Sequence, residues 1–460
     1  MNSFSIYKKL PISVQNILCS IQGYKLNKLR YGTEYLQIAK DLEKSDQWNA
    51  EQILQYKEEQ LSYILRYAYE HCKYYRQKFN KAGVLPDDFN HLPDLQKFPV
   101  LTKEEVRAHW KEMLSDEFSE KDLVIYHTSG STGTPLNFYW TKENIRHYWA
   151  TVWRARGRVK IKKGDLHLNF TGKLVVPLEQ QNPPYWRYNR FLNQYMINQQ
   201  HITDEKITDL VEFINKKQFK FFVGYPSIIT SFAMLAEKHG LQIINSPQYI
   251  FPSAEKLYEH QRIVIERVFK GVCILEHYGF SEEAAAASKC ECGYYHEDFE
   301  MGHLELVNEQ DIESGKSGIM LATGFKNLAM PFIRYKIGDR ATYTEIPCSC
   351  GRQSQRILDI EGRTEDYIVT PEGAHIMRLG YLLKSASHIA EAQIVQSVKG
   401  EIIIKIVQLP GYTNEDENSI RQVVREQFSP TMKVGFEYVD SIPRTKAGKF
   451  KYVVSLLSNQ

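Results

Sequence analysis

Short apolar runs, LHLNFTG from Leu166, FKFFVGYP from Phe219 and VCILEHYG from Val272, alternate with polar stretches of helical length such as Asp204 to Lys217 and Ala254 to Val268. Strand then helix, repeated, is the signature of an α/β body. Several of these runs close on Gly or Gly-Tyr, which places loops at strand ends, where open α/β sheets hold their ligands.

The flanks differ from this body. From Gln47 to Ala82 the chain is polar, with Leu61, Ile64, Leu65 and Ala68 at helical spacing and Gly83 as a C-cap, so residues 1–95 are expected to be largely helical. Beyond Glu361 a turn at Thr370-Pro371-Glu372-Gly373, a strand EIIIKIV from Glu401 and a helix from Glu415 to Phe428 predict a separate α+β domain. The expected division is a large domain over 1–361 and a small one over 362–460. Glu282-Glu283 followed by four alanines reads as a helix start.

Composition narrows the function. With 43% hydrophobic and 25% charged residues, disorder, collagen and long coiled coil are poor fits. Lys plus Arg number 58 and Asp plus Glu 55, so the net charge of +3 gives no electrostatic grip on nucleic acid. Pro11, Gln15 and Asn16 break the apolar residues near the N-terminus, and no run of about 18 apolar residues occurs. A soluble cytoplasmic protein is the expectation.

Tyr126-His-Thr-Ser-Gly-Ser-Thr-Gly-Thr-Pro135 lies between two strand-like segments. The backbone amides of the loop, Gly130 and Gly133 included, and the hydroxyls of Thr128, Ser129, Ser131, Thr132 and Thr134 suit a polyphosphate, glycine allowing close approach. The spacing is not that of a P-loop, since no Gly-Lys pair follows. Cysteines stand at 19, 72, 273, 290, 292, 348 and 350, and the last four form two Cys-x-Cys-Gly elements. With His296 nearby, that pattern points to zinc, for which thiolates are soft ligands. Cys290, Cys292, His296, Cys348 and Cys350 compete for four positions, and the ion would be structural. Cys19, Cys72 and Cys273 read as buried small hydrophobes.

The TSGSTGTP loop resembles the phosphate loop of the adenylate-forming enzymes, and further motifs follow in that superfamily's order. Ser253-Ala254-Glu255 resembles its adenine-lining segment, Tyr278-Gly279-Phe280-Ser281-Glu282 its Y-G-x-T-E, and Arg334-Tyr335-Lys336-Ile337-Gly338-Asp339 its R-Y-R-T-G-D. Gly362-Arg363-Thr364-Glu365-Asp366 and Pro443 to Lys449 resemble G-R-x-D-D and P-R-T-x-x-G-K. Pro99 to Lys103, Gly224-Tyr225-Pro226-Ser227 and His296-Glu297-Asp298 are most similar to the phenylacetate-CoA ligase branch, above all to its capsular-polysaccharide relatives.

The resemblance implies that the chain joins a carboxylic acid to AMP at the expense of ATP and passes the acyl group to a thiol such as CoA, or to an amine or hydroxyl of a sugar or amino acid. Asp339 would hold the ribose, Glu282 a Mg²⁺ ion with Glu283 able to share that role, and Arg363 the ribose or a phosphate. Lys449 would meet the α-phosphate, carried in and out by a C-terminal domain turning about Glu365. The related pattern C-x-x-G-x-x-H favours Cys290, His296, Cys348 and Cys350 as the zinc set with Cys292 spare, an all-cysteine site being the other choice. His277 either lines the acyl pocket or is a packed core histidine. The polar loop from Gln181 to Gln200 suits a sugar-bearing partner or is a surface excursion. The competing class is an inactive scaffold that keeps the fold.

Overall fold

The computed structural model describes residues 6–127, 136–308, 310, 316–361, 368–371, 375–376, 379, 382, 388–444 and 450–457. The alternating segments build a six-stranded sheet in the order Arg187–Asn189, Gln194–Asn198, His167–Thr171, Phe221–Gly224, Tyr249–Pro252 and Cys273–Ile274. All neighbours are parallel except the first pair. Parallel strands need crossovers, supplied here by Ile207–Asn215, Pro226–Lys238 and Glu259–Val268, whose apolar faces close over Phe170, Phe222 and Ile250. Gly224 ends its strand at φ +149, and a Cβ there would lie 2.3 Å from the Phe170 carbonyl oxygen, so only glycine lets these backbones approach.

A second sheet of seven strands is antiparallel throughout, in the order Gly302–Val307, Ser317–Gly324, Tyr335–Thr344, Arg356–Glu361, Tyr295–Glu297, Ala286–Lys289 and His277–Gly279. Leu61, Ile64, Leu65 and Ala68 of the helix Ala50–His71 share one core with Leu304, Tyr335 and Ile337 of this sheet. The N-terminal region is helical as expected, through Ile12–Arg30, Tyr35–Ser45, Ala50–His71 and Lys73–Ala82. Its last two helices divide the predicted single helix at Cys72, which is extended at φ −115. Tertiary partners satisfy the backbone there: the amide of Asp116 donates to the His71 carbonyl and that of Tyr74 to Glu112.

The expected helix after Glu282 is a strand instead. Glu283 adopts φ +51, which breaks helical propagation, and the alanines run into the buried strand Ala286–Lys289. Small side chains suit this place, because a Cβ on the facing Gly302 would come within 2.0 Å of the Ala284 carbonyl oxygen. The Gln181–Gln200 segment also reads differently in three dimensions. It forms the edge of the parallel sheet, and Arg187 is fully buried against Gln15 at 2.7 Å and Gln180 at 2.5 Å, so much of its polar character is consumed internally. Cys72 is buried as expected, whereas Cys19 and Cys273 are half-buried.

The C-terminal strands Lys433–Tyr438, Glu401–Gln408, Ile389–Val398 and Val453–Ser455 form a four-stranded sheet in that order. The helix Asn414–Gln427, capped by Thr413 and Asp416, packs Ile420 and Val424 on Ile394, Ile402 and Ile404, a hydrophobic core of its own.

Candidate active site

Two side-chain bonds draw distant motifs together. The Tyr278 hydroxyl donates to Asp339 Oδ2 at 2.7 Å, and the Tyr335 hydroxyl donates to Glu282 Oε1 at 2.5 Å. Each bond joins the segment 278–282 to the segment 334–339. The latter is held by the early Pro99–Lys103 stretch, since the Leu101 amide donates to the Arg334 carbonyl and the Lys336 amide to Leu101. Arg334 itself is structural: its buried guanidinium pairs with Glu305 at 3.1 Å and donates to the Phe98 carbonyl at 2.7 Å.

Glu282 and Glu283 are both buried, yet they face different partners. Glu282 has one oxygen on Tyr335 and the other uncommitted among the described residues, as a carboxylate shared with a hard cation requires. Glu283 accepts from Asn144 Nδ2 at 2.8 Å. Burial drives its carboxyl well above the usual carboxylate range, with Arg30 pulling the other way. Burial penalises charge on Glu283 and Asn144 occupies one of its oxygens, so the two neighbours differ in what they offer a cation.

Ser253 and Ala254 are exposed at the end of the strand Tyr249–Pro252, the Ser253 amide donating to the Gly224 carbonyl at 3.0 Å and Ala254 turning left-handed at φ +65. Glu255 next to them reaches inward. Its Oε2 accepts from the Ser227 amide at 3.3 Å and its Oε1 from the Phe450 amide at 2.7 Å. Burial raises its pKa, opposed by the Phe450 amide. Phe450 directly follows Lys449, and upstream Arg444 pairs with Glu391, which also accepts from Ser231 at 3.0 Å. The C-terminal chain is thus tied to the body on both sides of residues 445–449. Thr128, Ser129, Gly130, Ser131, Thr132, Gly133, Thr134, Arg363, Glu365 and Lys449 lie outside the described residues.

Cys290, His296, Cys348 and Cys350 form one cluster in which every ligand atom lies within 4.8 Å of the others. The Cys290 and Cys348 sulfurs are 3.6 Å apart, and Cys350 Sγ is 3.2 Å from His296 Nε2. Zinc with bonds of about 2.0–2.3 Å has tetrahedral edges close to these lengths. Cys292 is exposed and turned to Ser349 Oγ at 3.1 Å, outside the group. Two turns present the thiols, and the strand Tyr295–Glu297, paired with both Ala286–Lys289 and Arg356–Glu361, brings them together. Among the described residues His296 Nδ1 has no hydrogen-bond partner, unlike most metal-bound histidines.

Sequence reasoning missed Tyr335 as the Glu282 partner, and Asn144, Tyr148 and Arg30 around Glu283 with Arg156 acting on Tyr148. The last four come from helices more than a hundred residues away, and no local spacing announces them.

Residues 368–456 match the family model of the CapK C-terminal domain. The chain is 25% identical over 458 residues to Protein CapK of Staphylococcus aureus, covering 98% of each. It is 26% identical over 342 residues to the phenylacetate-coenzyme A ligase of Escherichia coli (strain K12), covering 68% of this chain and 71% of that one. Among solved structures, 2-hydroxyisobutyryl-CoA ligase in the postadenylation state with 2-HIB-AMP superimposes with a TM-score of 0.69 at 19% identity, over 89% of this chain and 91% of that one. The same ligase with 2-HIB-AMP and CoA in the thioesterification state gives 0.56, again at 19% identity and over 89% and 91% of the two chains.

Proposed function

We propose that this chain, an adenylate-forming ligase related to CapK and to the phenylacetate-CoA ligases, activates a carboxylic acid with ATP and then transfers the acyl group. In the first half-reaction a carboxylate oxygen attacks the α-phosphorus, a new O–P bond forms, the bridging bond to the β-phosphate breaks, and pyrophosphate leaves. In the second, a nucleophile attacks the acyl carbon, loses its proton, and AMP departs. The observation that carries this reading is the convergence of the 278–282 and 334–339 motifs through Tyr278–Asp339 and Tyr335–Glu282.

Asp339 accepts from the ribose hydroxyls, residues 253–255 flank adenine, and the donors of residues 128–133 surround the phosphates. Glu282 is the residue that would hold Mg²⁺, which neutralises phosphate charge. Arg363 meets ribose or phosphate, and Lys449 stabilises charge developing on the α-phosphate and the carboxylate. The anchorage of Phe450 on Glu255, beside the adenine-lining residues, supports a position for Lys449 near the nucleotide. Residues 362–460 act as a lid pivoting at Glu365, a role their separate core allows.

Zinc at Cys290, His296, Cys348 and Cys350 would be structural, all four tetrahedral positions being filled by protein. CoA is the first acceptor to try, given the CoA ligases that the chain resembles; an amine or hydroxyl of a sugar or amino acid is the second. No described helix is long and apolar enough to cross a membrane, which is compatible with work in the cytoplasm on soluble substrates. Lys449→Ala is expected to abolish pyrophosphate exchange while sparing transfer from preformed acyl-adenylate. Normal exchange in that variant overturns the role of Lys449; no exchange by the wild type with any carboxylic acid favours a binding protein instead.

A further inference from the structure

The helix Ile12–Arg30 meets the edge of the parallel sheet through polar side chains. Asn16 Oδ1 accepts from the Tyr188 amide at 2.9 Å, Ser20 Oγ from the Arg190 amide at 3.1 Å, and Gln15 Oε1 from Arg187 Nε at 2.7 Å. The amides of an edge strand are capped in this way rather than left for another chain to pair with. Gly23 lets the two elements close up, because a Cβ there would come within 2.0 Å of Asn189 Oδ1.

With Asn16, Ser20 and Gly23 turned to the strand, apolar residues of the same turns point to solvent. Ile17, Ile21 and Tyr24, spaced i, i+4 and i+7, are 56%, 46% and 50% exposed. Phe191, just past the edge strand, is exposed as well and extends the row, its ring 5.1 Å from that of Tyr24. A helix that only sealed the sheet edge would carry its apolar row inward and its polar residues outward, the reverse of what is found.

The charge around this row is almost all of one sign. No acidic residue precedes Glu34, and from Leu166 to Gln200 the sole acidic residue is Glu179. Lys8 pairs with Glu179 at 2.6 Å, while Lys9, Lys25, Lys28 and Arg190 are exposed and form no ion pair among the described residues. Lys28 continues the row one turn beyond Tyr24, and Lys25 flanks it. A second copy seated here about a two-fold axis would set these cations against their own counterparts. An anionic bilayer surface satisfies both features: isoleucine and aromatic side chains enter the boundary of the acyl chains, and the ammonium and guanidinium groups stay among the phosphates.

We propose that the outer face of the helix Ile12–Arg30, together with Phe191, docks the protein on an anionic lipid surface. The helix lies along the interface and does not cross it, and the docking is independent of the acyl-adenylate chemistry. The test is sedimentation of the full chain with vesicles of mixed phosphatidylglycerol and phosphatidylcholine, against vesicles of phosphatidylcholine alone. The mixed vesicles should carry the protein down, and added salt should release it as the lysines are screened. Ile17→Glu with Ile21→Glu should lower the partition coefficient roughly 100-fold or more. Lys25→Gln and Lys28→Gln should each lower it about 5-fold on the mixed vesicles. These positions are exposed, so the urea midpoint should not move.

Tyr24→Trp supplies a second readout that removes no apolar contact: its emission, after subtraction of the wild type, should shift to the blue when mixed vesicles are added. No sedimentation with mixed vesicles overturns the proposal, and so does equal binding to phosphatidylcholine alone. Sedimentation that survives the paired glutamates, or an indole at position 24 that stays in water, would place the contact elsewhere on the molecule and overturn it too. A dimer in solution that the same paired glutamates dissociate would assign the face to a second copy and reject the lipid surface.

Discussion

The two large sheets are stabilised in opposite ways. The parallel sheet is packed with Phe170, Phe222, Phe232 and Phe269 and is sealed by apolar helices. The antiparallel sheet and the loops at its ends bury charges: Lys57 with Glu297 at 2.5 Å, Arg154 with Asp298 and Glu300, Arg334 with Glu305, besides Glu282 and the four-residue Cys/His cluster. Apolar packing tolerates repacking, whereas a buried ion pair holds only while both partners remain. The half built from paired charges is also the half that supplies Tyr278, Glu282 and Asp339. Polar groups held without water keep one geometry, which is what a site for a charged nucleotide needs.

The strongest way to break this contrast is at the cysteines. Cys348→Ser, or a chelator, should release one zinc per chain and cost several kcal/mol, since metal binding to a folded site is folding free energy. Hydrogen exchange should then open the strands 286–297 and 356–361 while 221–224 stays protected; uniform protection, or no zinc in the purified wild type, refutes the metal site.

Next in size, Arg154→Met strands Asp298 and Glu300 and should lose about 3–5 kcal/mol. Phe232→Ala should lose a similar ~3–5 kcal/mol through a cavity. The two are told apart by rescue: Glu300→Gln should recover part of the first loss in urea unfolding, and no polar change should recover the second.

A smaller effect sharpens the comparison from the parallel side. His167 stacks on Phe221 at 4.5 Å, and burial lowers its pKa from 6.5 to about 3, with the Asp165 carbonyl raising it and Arg156 lowering it further. The folded ring stays neutral where the unfolded one is charged, so its contribution is complete above pH 6.5 and falls as pH drops toward 3. The slope is about 1.4 kcal/mol per pH unit at most, and His167→Gln should flatten the stability curve between these limits by one proton.

Smallest is Tyr278→Phe, which removes one bond to Asp339 and should raise the ATP KM about 5-fold, near 1 kcal/mol, with kcat little changed. An unchanged KM would mean that Asp339 is oriented by other groups.

Much of this was legible before the structure. The runs at Leu166 and Phe219 are strands because their apolar residues are continuous, as burial on both faces of a parallel sheet demands. The cluster Cys290, His296, Cys348 and Cys350 matches the set that the C-x-x-G-x-x-H pattern favoured, with Cys292 left over. The alanines after Glu283 misled, since intrinsic helix propensity amounts to a few tenths of a kcal/mol per residue and two flanking strands outweigh it.

Motif order and spacing along the chain therefore determined the α/β body, the order of the motif segments and the paired cysteine turns, because glycine turns, strand runs and ligand spacing are local properties. Only the tertiary structure decided that Tyr335 holds Glu282 and that burial beside Asn144 drives the Glu283 carboxyl well above the usual carboxylate range. Those facts depend on burial and on partners 53 and 139 residues apart. Desolvation and hydrogen bonding act through space, and folding alone brings such groups into range.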